Sequence, residues 1–180
     1  MIEREVKARV PPKLEDRVVS LIETMCREED VVRQEDIYYN HPSRDFALTD
    51  EALRLRIEDR GEGERRVLLT YKGPRMRRDV KAREEIEIRV SSAPSKVNKL
   101  LEKLGFKKKV VVRKRRREFD CEWFKAFIDD VDELGKFVEL ELVRGSSDEL
   151  LSVVEMLGLK DYVEPKTYLE LLLEKLELKS

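Results

Sequence analysis

Charged and apolar residues alternate with a period of two through several short stretches of the chain, the spacing that puts every second side chain on one face of a β-strand. In MIEREVKARV this face carries Glu3, Glu5, Lys7 and Arg9. The following PPKLEDRVVSLIETMC changes to helical spacing, with Leu14, Val18, Leu21, Ile22 and Met25 on one stripe and Pro11 and Pro12 marking the end of the strand. The strand-then-helix unit returns in EIEIRVSSAPSKVNKLLEKLGF, where Glu85 and Glu87 precede a helix carrying Val97, Leu100, Leu101 and Leu104. It returns again in ELELVRGSSDELLSVVEMLGL, where Glu139 and Glu141 precede Leu150, Leu151, Val154 and Leu157, with Ser147 as the expected N-cap. Gly105 and Gly158 stand where C-cap glycines belong. A last helix, TYLELLLEKLEL, presents Tyr168, Leu172 and Leu176.

Between these acidic strands lie basic ones. ALRLRIE sets Arg54 and Arg56 against Leu53, Leu55 and Ile57, and VLLTYKG places Lys72 two residues after Thr70. VVVRKRRREF offers two registers, Lys114 with Arg116 or Arg113 with Arg115; Val110 and Val112 precede the first pair on its own face and favour it. FIDDV adds Asp129.

The apolar faces of these strands need covering, and the amphipathic helices can cover them, which makes the class α+β. The other face would gather charges in same-sign pairs, an arrangement that costs energy unless something of opposite sign lies between them. Acidic pairs suit hard cations such as Mg²⁺ or Mn²⁺, and basic pairs suit a polyphosphate. A sheet curled into a barrel with helices outside and charges inside would hold both.

Composition narrows the alternatives. Asp, Glu, Lys and Arg make up 43% of 180 residues, yet 38 basic against 39 acidic residues leave a net charge of -1, which argues against nucleic-acid attraction by bulk charge. The basic run KKKVVVRKRRR is weighed against that balance. Apolar residues at 41% argue against disorder, and a single Gln with two Asn leans towards a thermophilic source. One domain over residues 1–180 is expected. Cys26 and Cys121 are far apart without a CxxC spacing, so neither a zinc site nor a disulfide is expected and both read as buried small residues. The charged N-terminus and the lack of a long apolar run point to the cytoplasm. His41, in YNHPSRD, reads as a loop residue, and Trp123 with Phe124 as packing at a barrel end.

The opening EREVK resembles the ExExK signature of the CYTH superfamily, the triphosphate tunnel metalloenzymes. The resemblance runs on through YYNHPSRDFALTDEALRLR, LTYKGP, REEIE, VVRKRRREF, IDDVDELGKFVELE and TYLELL, with YYNHP and DDVDELGKFVELE most like the class IV adenylyl cyclase branch. It implies an eight-stranded antiparallel closed β-barrel forming a tunnel, with helices packed outside. It also implies that Glu3, Glu5, Glu139 and Glu141 bind Mg²⁺ or Mn²⁺, with Asp129 as a further ligand. Lys7, Arg54, Arg56, Lys72, Lys114 and Arg116 would grip the triphosphate, and Glu85 and Glu87 would position metal or basic side chains or contact the nucleoside. Glu3, Glu5, Lys7 and Lys72 would act at the reacting phosphate, and Phe119 falls where the family tends to place an aromatic when Lys114 and Arg116 face inward. The implied activity is conversion of ATP to 3′,5′-cyclic AMP and pyrophosphate. Hydrolysis of inorganic, thiamine or nucleoside triphosphate by the same residues, and binding of polyphosphate or RNA without turnover, are the alternatives. The branch likeness implies a homodimer.

Overall fold

Eight strands with alternating buried and exposed positions close on themselves. The computed structural model describes the backbone of residues 2–76 and 81–178, and within that range the side chains of all but residues 2, 3, 62, 81 and 82. The strands are β1 (Ile2–Arg9), β2 (Arg27–Asn40), β3 (Ala52–Asp59), β4 (Arg65–Lys72), β5 (Lys81–Arg89), β6 (Lys107–Asp120), β7 (Phe124–Val131) and β8 (Gly135–Leu142). They form a closed barrel in the order β1-β5-β4-β3-β2-β6-β7-β8. All neighbours are antiparallel, and β1 completes the ring by pairing with both β5 and β8. The closed α+β barrel expected from the resemblance is therefore the observed architecture.

The helices are α1 (Glu15–Met25), the single turn α2 (Phe46–Thr49), α3 (Pro94–Lys103), α4 (Ser147–Met156) and α5 (Tyr168–Glu177). On one flank Val18 and Ile22 of α1 and Leu150, Val153 and Val154 of α4 pack on the outward residues Val6, Ala8, Ala126 and Leu140. On another, Val97 and Leu101 of α3 cover Ile37, Leu55 and Val67. Burying each of the valine, leucine and isoleucine side chains stabilises the fold by about 1.5–3 kcal/mol. Leu100 and Leu104, expected on the same stripe of α3, remain 59% exposed because this helix meets the barrel only along its Val97 and Leu101 edge. Helix α5 differs from the rest: Tyr168, Leu171 and Leu172 meet Tyr38, Ala52, Val112, Val131 and Phe137, inward-facing positions at one end of the barrel. It closes that end.

Local details correct two expectations. The N-cap of α4 is Ser146, not Ser147: its hydroxyl accepts from the Glu149 backbone while Glu149 reaches back to the Ser146 amide. Cys26 and Cys121 are joined in a disulfide, with Cα atoms 4.4 Å apart across a sequence separation of 95. Cys26 follows α1 and Cys121 follows β6, and the adjacent Arg27 and Asp120 are cross-strand partners. The tertiary pairing of β2 with β6 creates this proximity, and spacing in sequence carries no sign of it. At Gly105 the backbone has φ +90 and an added Cβ would lie 3.1 Å from Pro42, so both conformation and space favour glycine after α3. Among the described residues no helix is long and apolar enough to cross a membrane.

Candidate functional site

Strand parity turns the charged residues inward. Lys7, Arg54, Arg56, Lys72, Lys114 and Arg116 all line one cavity of about 950 Å³ inside the barrel. Glu5, Glu85, Glu87, Glu139 and Glu141 line it as well. Lys114 and Arg116 are buried while Arg113 and Arg115 are exposed, so the inward pair is the one favoured by the valines before it. The structure thus brings these eleven residues together in one cavity; Glu3 lies on β1 opposite Arg83, and its side chain falls outside the described residues.

Two buried aspartates organise the cations. Asp36 on β2 takes a bidentate pair from Arg56, Nε to Oδ1 at 2.6 Å and Nη2 to Oδ2 at 2.8 Å, with Arg54 Nη1 at 3.9 Å. Burial alone would raise the pKa of Asp36, but the charges of Arg56 and Arg54 outweigh it and hold the carboxyl well below the usual carboxylate range. Asp129 is fully buried, and its oxygens are taken by Arg116 at 2.7 and 2.6 Å, Lys114 at 3.0 Å and the Tyr168 hydroxyl at 2.9 Å. Its pKa is also lowered, with Arg116 and Lys114 overcoming the cost of burial. Asp129 therefore orients cations in this structure, with three donors on Oδ2 and one on Oδ1. Burial and the nearby Arg116 charge lower the pKa of Lys114.

Around the rest of the tunnel, Arg54 approaches Glu87 at 3.5 Å and meets Thr70 Oγ1 at 3.2 Å, while Thr70 donates to Glu87 at 2.9 Å. Lys72 is paired with Glu85, and Arg116 with Glu139. At the closed end Lys7 donates to the Lys166 carbonyl, and its ammonium lies 4.2 Å from the Tyr168 ring centroid; Lys114 lies 4.8 Å from the same ring. Away from α5, Gln34 donates to Glu58 at 2.6 Å, and Arg60 bridges Glu58, Asp30 and Glu118.

The carboxylates of β1 and β8 supply the oxygen chemistry a hard divalent ion requires. Glu5 and Glu141 are cross-strand partners, and Glu139 stands opposite Lys7. Among the described residues no group of three or more His, Cys, Asp or Glu is already gathered into a metal cage. Glu5, Glu139 and Glu141 fit Mg²⁺ or Mn²⁺ by donor type, and Glu139 is paired with Arg116 in this structure.

Other candidates have different places. The ring of His41 sits against Phe46 and Phe106, and His41 does not line the tunnel cavity. Trp123 packs on Phe124 and the core beneath α4. In the basic run, Arg113 pairs with Glu35 and Arg117 with Glu23 and Glu28, which neutralises much of the suspected nucleic-acid stripe. Gln34 and Asp36 of β2 are inward residues that the sequence analysis does not single out. REEDVVRQED shows no clean apolar alternation because Val32 is followed on the same inward face by the polar Gln34 and Asp36.

The sequence profile of the CYTH domain matches residues 1–168. A Methanocaldococcus jannaschii protein named "Putative adenylate cyclase MJ0240" is 38% identical over 182 residues, which covers 95% of this chain and 98% of that protein. The structure of PH1819 from Pyrococcus horikoshii superposes with a TM-score of 0.87 at 37% identity, covering 96% of this chain and 99% of the other. The fold is also shared, at a TM-score of 0.65 and 20% identity over 91% of this chain and 90% of the other, by a Hippeastrum protein named "Putative adenylyl cyclase HpAC1", for which a dominant triphosphatase activity is described.

Proposed function

We infer, since this chain belongs to the CYTH domain family, whose members are metal-dependent triphosphate tunnel enzymes, that its tunnel binds a nucleoside triphosphate and that the reaction is cyclisation of ATP to 3′,5′-cyclic AMP with release of pyrophosphate. The observation that carries the reading is the set of six cations, Lys7, Arg54, Arg56, Arg83, Lys114 and Arg116, each less than a tenth exposed and all lining one cavity. Such charges are costly to bury unless paired, and here a few carboxylates serve several cations at once. A triphosphate would complete the neutralisation, and guanidinium forks match phosphate oxygens. A cavity of about 950 Å³ is also large enough for a nucleoside beside the phosphates.

In this mechanism Arg54, Arg56, Lys114 and Arg116 hold the phosphate chain and take up the charge that develops on the leaving pyrophosphate. Lys7 and Lys72 contact the phosphate chain at its α5 end, and Glu85 and Glu87 keep Lys72 and Arg54 extended into the tunnel. Glu3, Glu5, Glu139 and Glu141 would hold Mg²⁺ or Mn²⁺, which supplies Lewis acidity to the phosphate and lowers the pKa of the attacking hydroxyl. The ribose 3′-oxygen forms its bond to the α-phosphorus as the bond to the β-phosphate oxygen breaks, and the hydroxyl proton passes to solvent.

A second reading has its own support. The triphosphatase activity described for HpAC1 belongs to a protein of the same fold, and the same residues would serve attack by water on the terminal phosphorus. Product analysis with ATP, inorganic triphosphate or thiamine triphosphate and either metal decides between them. Cyclic AMP with matching pyrophosphate supports cyclisation, and orthophosphate without cyclic AMP replaces it with hydrolysis. Binding without turnover would leave a polyphosphate-binding module.

A further inference from the structure

Arg54 Nε and Gln34 Oε1 are buried in the tunnel wall without a hydrogen-bond partner among the described residues. They are opposite in sense. The first is a donor, which a phosphate oxygen satisfies. The second can only accept, and a phosphate oxygen beside it would set two acceptors face to face, so its partner must bring a hydrogen.

The orientation of the Gln34 amide is fixed by its neighbour. Gln34 is 3% exposed and its Nε2 lies 2.6 Å from Glu58 Oε1. A carboxylate accepts and does not donate, so the amide must turn its NH₂ to Glu58 and its oxygen away. Glu58 is held in turn by Arg60, which also binds Asp30 at 2.7 Å and Glu118 at 3.1 Å.

The wall also changes character along β2. Tyr38, Asp36 and Gln34 pair with Arg54, Arg56 and Glu58 of β3 respectively. Over the four residues from Tyr38 to Gln34, about 13 Å of strand, the β2–β3 wall passes from arginines near α5 to an amide and a carboxylate, with Arg60 beyond them held by Glu58, Asp30 and Glu118. Phosphate fits the first end and a neutral group rich in donors fits the second.

We propose that Gln34 is a specificity-determining residue whose Oε1 accepts a hydrogen bond from a donor on the nucleoside, an exocyclic amine or a ribose hydroxyl, with the triphosphate lying towards Arg54. This rests on the reading of the tunnel as a nucleoside triphosphate site. Gln34 then separates nucleotides from inorganic triphosphate, which offers no such donor.

Calorimetric binding to the wild type and to Gln34→Met, a substitution of similar shape that removes the acceptor, tests the assignment with ATP, inosine triphosphate, 2′- and 3′-deoxy-ATP and inorganic triphosphate. Gln34→Met is expected to weaken ATP binding about tenfold and to leave inorganic triphosphate within about twofold. The analogue that lacks the contacted donor should bind the wild type about tenfold more weakly than ATP and be indifferent to the substitution. That arm tells the amine from the hydroxyls. Equal losses for ATP and inorganic triphosphate would reduce Gln34 to a structural residue, and no loss for either would mean that water satisfies the amide; both overturn the proposal. Glu58→Gln, which lets the amide rotate, is the second variant and should narrow the preference for ATP; an unchanged preference counts against the assignment. A wild type that binds no inorganic triphosphate overturns the tunnel reading and the Gln34 role together, whereas one that binds it and fails only in the Gln34→Met comparison loses Gln34 alone.

Discussion

The Tyr168 hydroxyl donates to Asp129 Oδ2 at 2.9 Å, tying helix α5 to the carboxylate that holds Lys114 and Arg116. The end closure and the cation cluster are thus one hydrogen-bonded unit. Burial and the Asp129 charge push the Tyr168 pKa well above the usual tyrosine value, so the hydroxyl stays a donor throughout the neutral range. Tyr168→Phe should cost about 1 kcal/mol of stability and loosen α5. Asp129→Ala should cost about 3–5 kcal/mol by leaving buried cations without their partner. Denaturant unfolding of both variants measures the difference, and equal costs would remove Asp129 from the centre of the cluster.

Acid should unfold the protein through its buried aspartates. Asp36 and Asp129 have folded pKa values below the ordinary value of about 3.9, set by cations that outweigh burial. For a carboxyl with a lowered folded pKa, the stability is fully present above the unfolded value and is lost as pH falls towards the folded one. The melting temperature is expected to hold from neutral pH down to about pH 5 and to fall steeply below about pH 4. Asp36→Asn, if it folds, should show a shallower acid limb.

Reduction of the Cys26–Cys121 bond should lower the melting temperature. The bond closes a loop with a sequence separation of 95, for which the chain-entropy account gives up to about 4–5 kcal/mol, or roughly 10 °C or more for a chain of this size. Melting with and without a thiol reductant checks this. A Cys26→Ser, Cys121→Ser double variant should melt like the reduced wild type and be insensitive to reductant.

Glu5→Gln, which keeps the side chain's size and hydrogen-bonding capacity, should abolish metal-dependent turnover and shift the stability of the apoprotein by no more than about 1 kcal/mol. Wild-type turnover would remove Glu5 from the metal site. Lys72→Met should weaken triphosphate binding at least about tenfold, as the loss of a charge-assisted contact, and weaken monophosphate binding much less. An equal loss for both ligands would dissociate Lys72 from the phosphate chain.

Much of this arrangement could be read from residue order because parity in a strand is a local property. Glu139 and Glu141 face one way whatever surrounds them, and the same holds for Lys114 with Arg116 once the preceding valines fix the register. Asp36 was hidden for the complementary reason. Its strand turns polar groups into a polar tunnel, so no contrast between apolar and polar positions marks its inward face. The disulfide and the pairing of Tyr168 with Asp129 are contacts between distant segments, and nothing in their local sequence records them. Asp129 itself was legible as an inward carboxylate, but its partners decide what it does.

A barrel stoppered by α5 has a last-in, first-out geometry. Under the cyclase reading ATP enters phosphates first, so the cyclic nucleotide stands between pyrophosphate and the way out. Product release is then ordered: cyclic AMP leaves before pyrophosphate, and pyrophosphate added to the medium should compete with ATP for the empty tunnel while cyclic AMP should not.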